Sequence, residues 1–230
     1  MSIRVVIVDD HPLVRAGFRS ILETQTDMTI VGEAGDGQEA LQILESARAD
    51  IVLMDIQMPR LDGISATRRL HEMFGPDLGP KILVLTTFEL DEYVFDALRS
   101  GASGFLLKNV SPEDLIAAVR TIVRGDGLLA PSVTHRVIAE FIKTAGPVSA
   151  QNNHAALIVA SLTERERDVL KLMVRGMSNT ELAEALCLGE STVKTHVSNV
   201  LAKTACRDRV QAVIWAYEHK IVELLNEPES

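Results

Sequence analysis

Residues 51–63, IVLMDIQMPRLDG, join an unbroken apolar run to one acid and a Pro/Gly-punctuated turn. Four apolar residues without polar interruption read as a strand buried on both faces, the habit of a parallel sheet covered by helices. Runs of the same kind recur on either side, at 3–8, 28–34, 82–85 and 104–107, so the strand of residues 51–54 is the third of five. Between the runs, residues 12–23, 38–48, 64–73, 91–100 and 112–123 alternate apolar and polar positions at helical spacing. Five β-α units in series predict an α/β domain over residues 1–127, with a doubly wound five-stranded parallel sheet.

Beyond Gly125-Asp126-Gly127 the character changes. Residues 131–142 read as one more helix, and 144–155, TAGPVSAQNNHA, have the composition of a linker. The segment 128–160 is therefore read as a linker with one helix. Segments 163–175, 178–187, 190–203 and 207–220 then read as helices with no strand among them, which predicts a small all-α four-helix domain over 161–230. Thr163 with Glu166, and Ser178 with Glu181, have the spacing of capping boxes, in which hydroxyl and carboxylate satisfy helix-end N–H groups reciprocally.

Composition narrows the classes. The chain has 230 residues, 47% hydrophobic and 24% charged, which excludes a disordered or collagen-like polymer. Cys187 and Cys206 are too few for a disulfide framework and too far apart for a CxxC motif, as in a reduced intracellular protein. The N-terminal apolar run is short and closed by two acids, unlike a signal peptide, and no run of ~18 apolar residues could span a membrane. The expected location is the cytoplasm. A formal charge of −9 argues against a protein that coats nucleic acid through bulk positive charge. That charge is unevenly spread, however. Residues 1–127 carry 12 basic against 20 acidic residues, whereas over 191–209 Lys194, Lys203, Arg207 and Arg209 face only Asp208.

In an open parallel sheet every strand's carboxyl end lies on one edge, where ligands bind. Asp9 and Asp10 follow the first strand, Asp55 the third, Thr86 and Thr87 the fourth and Lys108 the fifth. Each residue alone has an ordinary explanation, since an Asp after a strand is most often a cap or turn residue. Four strands delivering acids, a hydroxyl and an amine to one edge are not explained that way. Clustered carboxylates resist ionising together without a cation, and hard oxygen ligands suit Mg²⁺. Asp55 is the candidate phosphoacceptor, a carboxylate nucleophile toward phosphorus. Asp9, Asp10, Asp55 and the main-chain carbonyl of Gln57 are the candidate Mg²⁺ ligands, with Lys108 and Thr86 stabilising the phosphoryl oxygens. A dinucleotide site would need GxGxxG in the first turn, which here reads DDHP. An aspartyl phosphatase would show a second Asp at position 57, so a turnover enzyme is not expected.

DDHPLVR (9–15), LMDIQMPRLDG (53–63) and VLTTFELDEYVFDALRSGASGFLLK (84–108) closely resemble the receiver domain of bacterial two-component response regulators, over about residues 1–125. The resemblance implies a flavodoxin-like fold, phosphoryl transfer to Asp55 from a sensor histidine kinase, and a switch in which Thr86 moves toward the phosphoryl group while Phe105 repositions inward.

In the helical half, Val193, Val197, Val200 and Leu201 form one apolar stripe within residues 190–203. The opposite face carries Ser191, Lys194, Thr195 and Ser198, suited to groove edges, while Thr192, Asn199 and Lys203 could reach phosphates. His196 borders the two faces, and core packing and DNA contact both stay open for it. TERE (163–166), SNTELAEAL (178–186) and STVKTHVSNVLAK (191–203) resemble the LuxR-type helix-turn-helix of the NarL/FixJ response regulators, over about residues 161–220. Carried over by position, Lys194, Thr195 and Ser198 would approach bases of double-stranded DNA and Lys203 the backbone. Two departures from that pattern are Gly189 at a cap that is often Ser, and Thr204-Ala205-Cys206 in place of a Leu-Gly-Val turn. Val210, Val213, Ile214 and Tyr217 make a second stripe, open to core packing or self-association, and the resemblance favours a homodimer when phosphorylated. The expected function is transcriptional regulation switched by phosphorylation of Asp55. The alternative is a phosphorylation-independent DNA-binding regulator whose acidic pocket is vestigial or binds another ligand.

Overall fold

Five strands, β1 (Ile3–Val8), β2 (Met28–Ala34), β3 (Ile51–Asp55), β4 (Lys81–Thr86) and β5 (Gly104–Leu107), pair in parallel in the order β2-β1-β3-β4-β5. They alternate with α1 (Pro12–Glu23), α2 (Gly37–Ser46), α3 (Gly63–Leu78), α4 (Asp91–Arg99) and α5 (Pro112–Val123). This computed structural model describes residues 2–87, 91–125 and 151–222, and the chain divides into two compact units, Met1–Leu128 and Leu129–Ser230. Every residue of β3 is buried, as the unbroken apolar run requires. Alternate side chains serve opposite faces. Val5, Ile7, Leu53, Leu83 and Leu85 pack with Phe18, Leu22, Leu115, Val119 and Ile122 in one core layer, while Val6, Val8, Val52, Met54 and Val84 are equally buried at the next positions.

Caps fix where the helices start. Asp36 accepts from the Gln38 and Glu39 N–H groups, Asp62 from Ser65 and Ser111 from Asp114. Helix α3 runs past its expected end at Met73, with a left-handed break at Gly75 (φ 73°).

The second unit holds α6 (Gln151–Ser161), α7 (Glu164–Val174), α8 (Asn179–Leu186), α9 (Glu190–Thr204) and α10 (Arg209–Glu218). The expected helix at 131–142 and linker residues 144–150 lie outside the described residues. Positions 151–155, read as linker, begin α6 instead, so the described residues contain five helices here where four were expected. Loop-like composition is overruled because Ala155, only 1% exposed, joins the core formed by Leu162, Val169, Leu170, Leu182, Val193 and Val197. Both expected capping boxes form, Thr163 with Glu166 and Ser178 with Glu181. No helix among the described residues is long and apolar enough to cross a membrane.

Candidate functional site

The β1–β3 register, Val8 opposite Met54, sets Asp9 and Asp55 side by side as each strand ends. Thr86 pairs with Leu107 in the β4–β5 register, and the Lys108 N–H donates to the Thr86 carbonyl at 2.8 Å. That turn aims Lys108 across the sheet edge: its Nζ lies 2.6 Å from Asp9 Oδ2 and 2.9 Å from Asp55 Oδ2. Asp9, Asp55 and Thr86 are all buried. Burial is the largest influence on Asp55 and lifts its carboxyl above the ordinary range; Lys108 pulls the other way and the charge of Asp9 adds to the rise. Burial also opposes the charge on Lys108, but its hydrogen bonds to the two carboxylates outweigh that and raise its pKa.

The loop after β3 is held from two sides. The Gly63 N–H donates to the Ile56 carbonyl at 2.9 Å, and a Cβ at Gly63 would lie 1.8 Å from the Asp55 carbonyl oxygen. Only hydrogen fits there. Arg60, in the left-handed region at φ 61°, pairs with Asp36 and Glu39 at the start of α2. Asp36 is fully buried, so the guanidinium compensates a desolvated carboxylate.

Among the described residues, the donors that converge as possible cation ligands are Asp9, Asp10 and His11, within 4.8 Å of one another. Asp9 Oδ2 and Asp10 Oδ1 are buried; their neighbours are Lys108 Nζ at 2.6 Å and His11 Nδ1 at 2.5 Å. Two adjacent carboxylates offer the oxygen ligands that suit a hard cation. Asp55, expected among the ligands, is tied to this cluster through Lys108 rather than directly. Exposed Gln57 stands two residues past Asp55. Phe105 is buried at 5% exposure, beside Val84 in the sheet. His11 and Arg60 were missed by the sequence reading, although DDHP places a histidine next to the acids.

In the second unit, α8, a turn with Cys187 in the left-handed region, and α9 form the helix-turn-helix. Val193, Val197 and Val200 are buried, while Ser191, Thr192, Lys194, Thr195, Ser198 and Asn199 are exposed. The Thr195 hydroxyl donates to the Ser191 carbonyl at 3.0 Å. His196 is half-buried. Lys203, the expected backbone contact, is exposed, and its Nζ lies 2.6 Å from Glu166 Oε2 and 3.0 Å from the Ser161 carbonyl. Arg207 pairs with buried Asp208, and Arg209 donates to Asn179 and to the Met177 carbonyl. Val210, Val213 and Ile214 are buried rather than offered as free surface, and the Tyr217 hydroxyl donates to the Val174 carbonyl. Cys206, its thiol pushed up to about 11 by burial, is a packing residue.

The family model described as the response regulator receiver domain matches residues 5–120, and that of bacterial regulatory proteins of the luxR family matches residues 160–216. The uncharacterized transcriptional regulatory protein YxjL of Bacillus subtilis (strain 168) is 42% identical over 222 residues, covering 96% of this chain and 98% of its own. Response regulator protein VraR of Staphylococcus aureus is 38% identical over 223 residues, covering 97% and 100%. Among solved structures, a LuxR-family two-component response regulator from Aurantimonas sp. SI85-9A1 is similar at 32% identity and a TM-score of 0.56, covering 62% of this chain and 99% of that one.

Proposed function

Because the chain belongs to the two-component response regulators with a LuxR-type DNA-binding domain, which are transcription regulators and not turnover enzymes, we propose that phosphorylation of Asp55 by a sensor histidine kinase switches it. The observation that carries this reading is the Lys108 bridge between Asp9 and Asp55. A fixed ammonium between two desolvated carboxylates is a preformed counter-charge for phosphoryl oxygens, and phosphoryl transfer depends mainly on positioning and charge neutralisation. Asp9, Asp10 and Asp55, with the Gln57 main-chain carbonyl, are the residues that would hold Mg²⁺, which supplies further neutralisation when bound. Thr86, buried at the end of β4, is the hydroxyl suited to read the phosphoryl group, with Phe105 repositioning inward.

Phosphorylation then promotes homodimerisation, and paired α9 helices read a two-fold operator in double-stranded DNA through Lys194, Thr195 and Ser198, with Thr192 and Asn199 toward the phosphates. Half-buried His196 borders this face of α9, where it stays open to packing or to a DNA contact. The domains follow the same division, a receiver over 1–127 and a DNA-binding domain over 161–230. Incubation with acetyl phosphate and Mg²⁺ is expected to add the mass of one phosphoryl group to the intact chain and none to Asp55→Ala. An unmodified intact chain would point to phosphorylation-independent regulation instead.

A further inference from the structure

The lysine expected at the DNA backbone is used inside the fold. Nζ of Lys203, near the end of α9, meets two partners at one junction. It lies 2.6 Å from Oε2 of Glu166 and donates to the carbonyl of Ser161, the last residue of α6. The same Glu166 oxygen accepts the Thr163 N–H at 2.8 Å and so completes the capping box that starts α7. The Glu166 side chain is only 5% exposed and that of Lys203 35%, so the carboxylate end of this charge-assisted contact is withdrawn from water while the lysine is partly solvated. One ammonium therefore joins the end of α6, the start of α7 and the end of α9.

Helix geometry agrees. At ~100° per residue, Lys203 falls roughly 130° around α9 from the middle of the Lys194, Thr195 and Ser198 face. It lies next to the buried stripe, where Val200 and Thr204 are its neighbours.

We propose that Lys203 is a positioning residue which, through Glu166 and the Ser161 carbonyl, fixes where the C-terminal half of α9 sits, and that it does not contact DNA phosphate. This rests on the reading of α9 as the recognition helix. A phosphate contact and an internal lock predict different salt dependence, because each cation bound to a phosphate releases a counterion and each loss lowers the slope of log affinity against log salt by about 0.9.

The test uses the full chain and a labelled duplex enriched by the unmutated protein from a random-sequence pool. Failure of the unmutated protein to retain any duplex would overturn the DNA-binding reading itself; failure of the lock shows only in the variants. Lys203→Met is expected to weaken binding on the order of tenfold with an unchanged salt slope, roughly one charge-assisted hydrogen bond of positioning. Glu166→Gln keeps an oxygen for the Thr163 cap while removing the charge that holds the ammonium. It is expected to weaken binding too, again at constant slope, and to have little further effect once Lys203→Met is present. The proposal is overturned by a slope reduced in Lys203→Met, by unchanged affinity in both variants, or by tighter binding in Glu166→Gln, which would mean that Glu166 had been withholding a DNA-contacting lysine. The Glu166→Gln arm alone decides the matter if Lys203→Met does not fold.

Discussion

At Gly63 the absence of a side chain is itself a structural requirement. A methyl group there would meet a backbone carbonyl, that of Asp55, which cannot swing aside as a side-chain end could. Gly63→Ala is expected to cost about 1–3 kcal/mol or more, read as a lower urea midpoint, and to abolish acetyl-phosphate labelling because the phosphoacceptor itself is displaced. Glu166 gives a second prediction, in pH. The Lys203 hydrogen bond, with the Thr163 cap, lowers its carboxyl from 4.5 to about 2. A depressed folded-state pKa contributes stability that is present above the unfolded value and lost as pH falls through the folded one. The urea midpoint of the helical unit should therefore exceed that of Glu166→Gln by a constant margin above pH ~4.5, with the gap closing toward pH ~2. Nothing in the sequence separates Lys203 from a DNA-facing lysine, since a stem of four methylenes reaches either way and only the partner decides. Asp9, Asp55 and Lys108 were legible because strand ends in a parallel sheet share an edge whatever their separation along the chain.

Among the elements, α9 has unfavourable residues at both ends. Its N-cap is Gly189, which makes no side-chain cap, and its C-cap is Ala205, a Cβ-bearing residue at φ 53°. Ser and Gly respectively would suit these positions better. Space at Gly189 is open, with no neighbour closer than 4.0 Å to an added Cβ. Gly189→Ser is expected to stabilise the helical unit by a few tenths of a kcal/mol and Ala205→Gly by about 1 kcal/mol, both seen as higher thermal midpoints. Elements set by local chemistry were readable in advance: the two capping boxes lie within four residues, and β3 carries its burial in its own composition. Helix α6 was not readable, because its first turn has loop-like residues and the burial of Ala155 is decided by residues elsewhere in the chain. The extension of α3 escaped for a similar reason, its break at Gly75 looking like an end.

For the whole molecule, the two compact units predict separable stability. Leu170→Ala empties a fully buried position of the helical unit and is expected to cost that unit about 2–5 kcal/mol. Phosphoryl uptake at Asp55 should be unaffected, which labelling and calorimetry of the same variant would establish. The charge distribution sharpens in the same way. Of the four basic residues in 191–209, Lys203, Arg207 and Arg209 have partners within the helical unit, and Lys194 is exposed on the side of α9 away from its buried stripe. The sequence count could not see these partners, which only the fold brings together. Gly63 has one more consequence, a mechanical one. The start of α3 rests directly on the Asp55 peptide, and Arg60 ties the intervening loop to α2, so the β3 side of the pocket is a rigid abutment. The opposite side ends in β5, four residues long and hydrogen-bonded to a strand on one edge only. The β3 side of the pocket is thus backed by a packed helix start, and the far side by a short edge strand.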